Sequence, residues 1–229
     1  MKRSKTWRSV QEKIDKSKAY PLNDALATLK ELSYVKFDET VDLAVRLGVD
    51  PRKSDQAIRG SVVLPGGLGK DVRVVAFVGS DKVEEAKEAG ADIIGDKDLV
   101  EEIKKGFLDF DSVVATPDMM GVVGVLGKIL GPRGMMPNPK VGTVTTDIAN
   151  AVAELKAGRV EFRTEKGGII HVPVGKLSFD NTQLVDNVNA VMGKLKSMKP
   201  SAAKGEYFKK VVLSSTMGPG LQLEASELV

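Results

Sequence analysis

The sequence predicts an α/β protein with two domains, because two parts of the chain follow different patterns. The middle alternates short helices with continuous apolar strands, which is typical of a mainly parallel sheet covered by helices in a three-layer arrangement. Each flank carries half-buried alternating strands, too few to form a sheet alone. We therefore expect a discontinuous α+β domain with a split antiparallel sheet from residues 1–66 and 160–229, interrupted by an inserted α/β domain at residues 67–159.

The middle domain begins with the strand VRVVAFVG at residues 72–79. Its apolar residues run almost without interruption, which indicates burial on both faces. The later elements are expected to be a helix from Ser80 or Asp81 to Gly90, the strand ADIIG, a helix from Asp98 to about Gly106, the strand DSVVAT, and a capped helix at residues 147–158.

The flanks supply the elements of the other domain. TVDLAVRLGVD, at residues 40–50, alternates strictly between apolar and other residues, so one face of this strand is predicted to be buried. RVEFRTEKGGIIHVPVG predicts a hairpin that turns near Lys166, Gly167 and Gly168. A helix is expected over residues 180–198, and VVLSS and LQLEAS predict two further strands around the turn TMGPG.

The composition of the 229 residues excludes several kinds of chemistry. The absence of cysteine removes disulfides, thiolate catalysis and cysteine-ligated metals, and the single histidine, His171, rules out a site built on a histidine pair. No apolar run reaches the roughly 18 residues of a membrane span, and MKRSKTWRSV lacks the apolar segment of a signal peptide. We expect a cytoplasmic protein without metal, cofactor or membrane contact.

An enzyme is the main competing interpretation, in the form of a small α/β enzyme that acts on a phosphorylated metabolite. PGGLGK, at residues 65–70, resembles a phosphate loop, but Leu64 and Asp71 stand where that motif needs Gly and Ser or Thr. The acidic residues between positions 81 and 118 fit solvated helix surfaces better than paired acid–base catalysis. The enzyme hypothesis is left without a nucleophile, base or metal. A protein scaffold without a nucleic-acid role is the third interpretation.

The segment ILGPRGMMPNPKVGTV, at residues 129–144, contains three prolines, three glycines and no acidic residue. Because proline fixes φ and restricts the residue before it, we expect a preformed loop. Arg133, with Lys128 and Lys140 on either side, would present cations to an anion. The net charge of +3 divides into +6 on the two flanks and −3 in the middle, and this asymmetry indicates contact with nucleic acid.

A second candidate surface lies on the flanks. Phe37 stands among charged residues just before the alternating strand, an unusual place for a large ring unless it packs locally or meets a partner. Thr40, Asp42 and Arg46 line the polar face of that strand. SSTMGPG, at residues 214–220, adds hydroxyls, a thioether and a glycine at a strand end, unless it is an ordinary turn. Such groups suit RNA, whose ribose and phosphate are met by hydroxyls and by close backbone approach.

Four segments that together cover nearly the whole chain closely resemble one family. They are KFDETVDLAVRLGVDPRKSDQAIRG (36–60), VVATPDMMGVVGVLGKILGPRGMMPNPKVGTV (113–144), AGRVEFRTEKGGIIHVPVGKLSF (157–179) and SSTMGPG. The family is that of bacterial ribosomal protein L-one, which belongs to the mobile side stalk of the large ribosomal subunit near the tRNA exit site. The resemblance implies two domains, the inserted one Rossmann-like, and no enzymatic activity.

The resemblance also implies partners. They are the side-stalk region of large-subunit ribosomal RNA, the exit-site tRNA, whose deacylated form the protein helps to release, and the protein's own operon messenger RNA, whose translation it represses by binding a mimic of the ribosomal site. The free protein is expected to be a monomer. Its place in the cell is the ribosome in the cytoplasm.

Site residues follow from the resemblance residue by residue, with Arg46 added for its place on the polar face of the strand. The expected RNA-binding residues are Lys36, Phe37, Thr40, Asp42, Arg46, Lys166, Gly167, Gly168, His171, Ser215, Thr216, Met217 and Gly218. Lys128, Arg133 and Lys140 are expected auxiliary contacts to ribosomal RNA, and Gly66, Gly67 and Gly158 are expected hinge residues. We interpret Asp42 as an acceptor for a ribose hydroxyl or a base amino group.

Overall fold

The computed structural model describes residues 5–15, 18–53, 55–201, 203 and 205–224. The chain divides into two compact units, unit one from Met1–Gly69 with Val160–Val229 and unit two from Lys70–Arg159. The mixed α/β fold class is confirmed. On the N-terminal side the change of unit falls after Gly69, slightly later than the expected boundary at residue 66.

Both units contain helices and strands. In the described residues the α-helices are α1 (Lys5–Glu12), α2 (Leu22–Leu32), α3 (Val83–Glu88), α4 (Lys97–Lys104), α5 (Met120–Val123), α6 (Gly127–Arg133), α7 (Ile148–Lys156) and α8 (Asn181–Ser197). The strands there are β1 (Thr40–Leu47), β2 (Arg59–Val63), β3 (Val74–Phe77), β4 (Ile93–Gly95), β5 (Ser112–Ala115), β6 (Arg159–Arg163), β7 (Ile169–Lys176), β8 (Phe208–Ser215) and β9 (Gly220–Leu223). Short 3₁₀ turns lie at Ser80–Lys82, Pro117–Met119 and Gly124–Leu126.

Unit one is built on a four-stranded antiparallel sheet with the strand order β7, β1, β8, β9. β1 alternates as predicted, with Val41, Leu43 and Val45 fully buried on one face. Apolar residues of α2 and α8, among them Leu26 and Leu184, join the same core. The alternation of the sequence therefore decides which face of the sheet is buried and leaves the opposite face for contacts outside the core.

The expected hairpin of residues 159–175 is wrong in the pairing of its strands. β6 pairs with β2 in a separate two-stranded sheet, whereas β7 pairs with β1. The turn itself is present, since the Gly168 N–H donates to the Glu165 carbonyl at 2.9 Å. Beyond the turn, β7 pairs with β1 from Thr40 to Arg46. This longer ladder takes the place of the expected local pairing between β6 and β7. Such a partner from a distant part of the chain is invisible in a local pattern.

Unit two has three layers around a parallel sheet with the strand order β4, β3, β5. All of β3 is buried, as predicted for a strand covered on both faces. Val75 and Phe77 belong to one apolar cluster with residues of α4 and α6, while Val74 and Ala76 belong to another with residues such as Ile148 of α7. The two clusters lie on opposite sides of the sheet because successive strand residues point to opposite faces.

The segment at residues 129–144 is not the continuous loop that its prolines suggested. Its first residues, up to Arg133, belong to α6, which ends at Gly134 with a φ of 75° that glycine adopts readily. Met135 and Met136 then pack against the apolar cluster on one side of β3, and Pro137 is buried. The segment is therefore held by a helix and by core contacts as well as by proline stiffness.

A buried asparagine of unit one binds the backbone of the segment where the chain first leaves unit one for unit two. Asn187 of α8 is 0% exposed. Its Oδ1 accepts from the Gly66 N–H at 2.8 Å, and its Nδ2 donates to the carbonyls of Gly67 at 3.1 Å and Val174 at 2.7 Å. The backbone of both glycines is therefore fixed to unit one, which argues against the hinge expected at these two residues.

Replacing Asn187 by leucine is expected to destabilise unit one. Asn187→Leu leaves three backbone groups without their partner, of which the Val174 carbonyl is in a buried bond and the two at Gly66 and Gly67 are partly exposed, so at roughly 1–3 kcal/mol for a buried group we expect the free energy of unfolding to fall by about 1–3 kcal/mol. Asn189→Leu, at an exposed position of the same helix, is the matched control and should change it by less than about 0.5 kcal/mol. Urea unfolding followed by circular dichroism measures both, and equal stability of the two variants would contradict the role of this amide.

Candidate nucleic-acid interface

The face of the four-stranded sheet opposite the core, called here the outer face, carries the polar residues of β1. Thr40, Asp42 and Arg46 lie on it because the residues between them point into the core. Arg46 is exposed, and the other two are partly buried. Antiparallel pairing places His171 of β7 opposite Ala44, where it is exposed. The structure thus brings four of the expected residues onto one surface.

Two lysines of the outer face were not identified from the sequence. Lys176 of β7 pairs with Thr40, and its Nζ donates to Thr40 Oγ1 at 3.1 Å. Lys210 of β8 pairs with Arg46 and is exposed. In the sequence, each is a lysine on a strand that is otherwise rich in apolar residues, which indicates that it lies on an exposed face. Only the pairing of these strands with β1 shows that this face is the outer face. The outer face therefore carries more positive charge than expected.

Helix α1 covers another part of the outer face. A cleft of about 280 Å³ lies between this helix and the strands β8 and β9, and its lining includes Trp7, Gln11, Val212 and Gln222. No described residue of β1 or β7 lines it. The accessible polar surface is therefore centred on β1 and β7.

Asp42 is the acidic residue in the middle of this surface. Burial raises the pKa of its carboxyl above the ordinary 3.8, and the nearby His171 and Lys176 partly oppose that change. A carboxylate at this place repels phosphate, whereas a hydroxyl or an amino group can donate to it. The arrangement therefore suits a contact to a ribose hydroxyl or a base better than a contact to a phosphate.

The turn after β8, residues 215–218 and called here the Met217 turn, is fixed to the start of β1. The Gly218 N–H donates to the Ser215 carbonyl at 3.2 Å. Thr216 Oγ1 accepts from the Thr40 N–H at 3.0 Å and donates to the Thr40 carbonyl at 3.3 Å. A Cβ on Gly218 would lie 2.2 Å from Ser215 Oγ, so a larger residue there would force the buried Ser215 hydroxyl to move. The turn is thus a rigid extension of the outer face.

The two hydroxyl residues of the turn differ in exposure and in contacts. Ser215 is only 5% exposed, and its Oγ has no hydrogen-bond partner in the part of the chain that the structure describes. The Thr216 hydroxyl is already engaged with the backbone of Thr40. The Thr216 hydroxyl therefore helps to fix the turn. The turn presents outward both Thr216, which is exposed, and the Met217 side chain, which is 46% exposed.

Exposed aromatic side chains lie in the segment before β1. Phe37 is 55% exposed and Tyr34 is 39% exposed, and Lys36 between them is exposed as well. The Tyr34 hydroxyl donates to the Met217 carbonyl at 3.3 Å, which places this ring beside the Met217 turn. Tyr34 was not identified from the sequence, although an aromatic residue close to Phe37 in a polar segment was a signal for it. Large apolar groups left on a surface are typical of contact sites.

The turn residues Lys166, Gly167 and Gly168 lie at the other end of β1. The Gly168 carbonyl accepts from the Leu47 N–H at 2.9 Å, and Gly168 has a φ of 74°. Lys166 and Gly167 are exposed, whereas Gly168 is buried. At about 3.3 Å per residue, β1 separates this turn from the Met217 turn by about 23 Å. The expected residues therefore form an elongated surface rather than a pocket.

The three expected auxiliary cations lie in unit two. Lys128, Arg133 and Lys140 are all exposed. The first two are five positions apart in α6, so their directions differ by about 140° at about 100° per residue. The Lys140 N–H donates to Asn138 Oδ1 at 2.8 Å, which fixes the backbone of the third. These cations are available at the surface, but the first two do not share one face of α6.

Neither a metal site nor a membrane-spanning helix is found among the described residues. In the described part of the chain, no group of three or more His, Asp or Glu residues is arranged to hold a metal ion. None of the helices found there combines the length and the apolar character needed to cross a membrane.

The raised pKa of Asp42 predicts how stability depends on pH. A carboxyl whose pKa is higher in the folded state stabilises the fold below its unfolded pKa of 3.8, and this contribution is lost as the pH rises through the folded pKa. Asp42→Asn should therefore be more stable than the parent at pH 7, and the advantage should shrink as the pH falls towards 4. Urea unfolding between pH 4 and 7 measures it. Asp186→Asn, at an exposed position of α8, is the control, and an equal pH dependence of the two variants would contradict the prediction.

Comparison with known proteins covers almost the whole chain. The family described as Ribosomal protein L1p/L10e matches residues 29–219, a range that includes all the expected RNA-binding residues. The chain is 58% identical over 228 residues to the Large ribosomal subunit protein uL1 of Chromohalobacter salexigens, covering 100% of this chain and 99% of that protein. It is 58% identical over 227 residues to the protein of the same name from Thioalkalivibrio sulfidiphilus, covering 99% and 98%. The chain therefore belongs to the ribosomal protein L1p/L10e family, which confirms the resemblance and the prediction of a structural ribosomal protein rather than an enzyme.

Proposed function

We propose that the chain binds the ribosomal RNA of the large subunit through the outer face of β1 and β7 and the adjoining Met217 turn. The observation that carries this proposal is the position of Lys176, which lies beside Thr40 and close to Asp42 on the same face as Arg46. Cations next to a carboxylate and a hydroxyl suit a partner that has phosphates and sugar hydroxyls side by side. RNA is such a partner.

Each part of the surface is assigned to one part of the RNA. Lys36, Arg46 and Lys176 meet phosphates, because a lysine or arginine near the surface releases counterions when it neutralises a phosphate. Asp42 accepts from a ribose 2′-hydroxyl or a base amino group, which favours RNA over DNA when the donor is the hydroxyl. Phe37 and the neighbouring apolar groups pack against sugars and unpaired bases.

We extend the proposal to the partners that the family resemblance implies. The chain binds the side-stalk region of the ribosomal RNA near the tRNA exit site and assists the release of deacylated tRNA. It represses its own operon messenger RNA by binding a mimic of the ribosomal site, so the two RNAs compete for one surface. It is a monomer when free, it acts on the ribosome in the cytoplasm, and Lys128, Arg133 and Lys140 add auxiliary contacts to ribosomal RNA.

Movement between the units, which a mobile stalk requires, needs a pivot outside the fixed glycines. The two glycines of the first crossing are bonded to Asn187. Gly158 ends α7, with a φ of 99° and its N–H donating to the Leu155 carbonyl at 3.3 Å. We place the pivot where the chain changes units, just after Gly69 and at the junction between Gly158 and the start of β6.

Removing one phosphate contact should change the salt dependence of RNA binding. Lys36→Ala should weaken binding and reduce the slope of log affinity against log salt concentration by about one, since about one counterion is released for each neutralised phosphate. Lys87→Ala, which removes an exposed lysine from unit two, is the matched control and should leave the slope unchanged. Filter binding to large-subunit ribosomal RNA over a salt series measures both variants. Equal slopes for Lys36→Ala and the parent would remove Lys36 from the interface, and a parent without affinity for this RNA would refute the proposed function.

A further inference from the structure

Glu39, the residue just before β1, has a carboxylate buried at the base of the Met217 turn. It is 1% exposed. Its Oε1 accepts from the Met217 N–H at 2.8 Å, and its Oε2 accepts from the Ser33 hydroxyl at 3.0 Å. Its carbonyl accepts from the Leu177 N–H at 2.8 Å. One residue thus connects the end of α2, the start of β1, the Met217 turn and the segment after β7.

The partners of the Glu39 carboxylate are neutral. They are a backbone N–H and a hydroxyl, and Glu39 takes part in none of the ion pairs found among the described residues. A negative charge beneath a surface that binds a polyanion opposes binding. Any favourable effect of Glu39 on RNA affinity must therefore come from its geometry rather than from its charge.

The peptide groups of Met217 are fixed from two sides. Glu39 holds the N–H, and the Tyr34 hydroxyl donates to the carbonyl at 3.3 Å. The preceding residue, Thr216, is bonded through its hydroxyl to the backbone of Thr40. The backbone of the turn is therefore set by contacts within the protein, while the Met217 side chain stays 46% exposed for a partner.

We propose that Glu39 is a positioning residue of the RNA interface. It orders the Met217 turn before RNA binds, because its side chain is long enough to accept hydrogen bonds from both Met217 and Ser33; this length is called its reach below. This inference rests on the proposed RNA-binding function and extends it to a residue that does not touch the RNA. A turn that is already ordered loses less conformational freedom on association, so its contacts contribute more to affinity.

Two conservative variants separate reach from charge. Glu39→Gln keeps the length of the side chain: its amide oxygen can accept from the Met217 N–H, and its amino group can donate to the Ser33 hydroxyl oxygen. Glu39→Asp keeps the charge but is shorter by one methylene group, so it cannot reach both donors from the same backbone position. A role of reach predicts a normal glutamine variant and an impaired aspartate variant. If the turn instead depended on the stronger hydrogen bonds that a charged acceptor makes, the reverse result would be expected.

The first measurement is amide hydrogen exchange of Met217 in the free, full-length protein, followed by NMR. In Glu39→Gln the exchange rate should stay within about twofold of the parent, and in Glu39→Asp it should rise by about tenfold or more, because the turn opens locally without unfolding the sheet. The amides of Leu43 and Leu213, which face each other in the centre of the sheet, are the internal control and should not change.

The second measurement is affinity for large-subunit ribosomal RNA in the same buffer. We expect Glu39→Gln to bind within about twofold of the parent and Glu39→Asp to bind at least about fivefold more weakly, with an unchanged salt slope because no cation is lost. A Glu39→Asp protein that binds like the parent although its Met217 amide exchanges faster would overturn the proposal, as would a Glu39→Gln protein that loses affinity. A parent without RNA affinity would refute the proposed function and the RNA role of Glu39 together, while the exchange data would still show whether the carboxylate holds the turn.

Discussion

The pairing of β1 on both of its edges is the constraint on which the rest of unit one depends. β1 comes from the N-terminal flank, and its partners β7 and β8 come from the C-terminal flank. Val41, Leu43 and Val45 provide the buried face that holds this arrangement on α2 and α8. Because side chains alternate along a strand, a slip of one residue would exchange the apolar and the polar face. The packing of the apolar face of β1, which holds the two flanks together, thus also determines which side chains face outward.

The proposed RNA surface inherits its rigidity from the same strand. The Met217 turn is bonded to Thr40 at the start of β1, and the turn at Lys166 is bonded to Leu47 at its end. Between these turns the cations Arg46 and Lys176 stand on paired strands, so their spacing is set by the sheet rather than by flexible loops. A long, preformed surface of this kind fits an extended polyanion, because few of its own groups have to be ordered on binding.

Features that depend on local patterns could be predicted from the sequence, and those that depend on distant contacts could not. The strict alternation of residues 40–50 and the apolar run of β3 follow from burial of one face or of two. The partner of β7 was mistaken because strand pairing joins residues far apart in the chain. For the same reason the place of Lys176 beside Thr40, and the contacts of Glu39 with Met217 and of Thr216 with Thr40, could not be predicted. Residue types suggested an RNA surface, but hydrogen-bond partners decide which of its atoms are free.

The most direct test of this account is whether unit one binds ribosomal RNA without unit two. A protein in which residues 1–69 are joined to residues 160–229 by a short glycine linker keeps the whole sheet of β1, β7, β8 and β9. Its affinity for large-subunit ribosomal RNA, measured by filter binding beside the full chain, should stay within about tenfold, or about 1.4 kcal/mol. A joined protein that is folded by circular dichroism but has no specific affinity for this RNA would contradict the account and move the interface to residues 70–159.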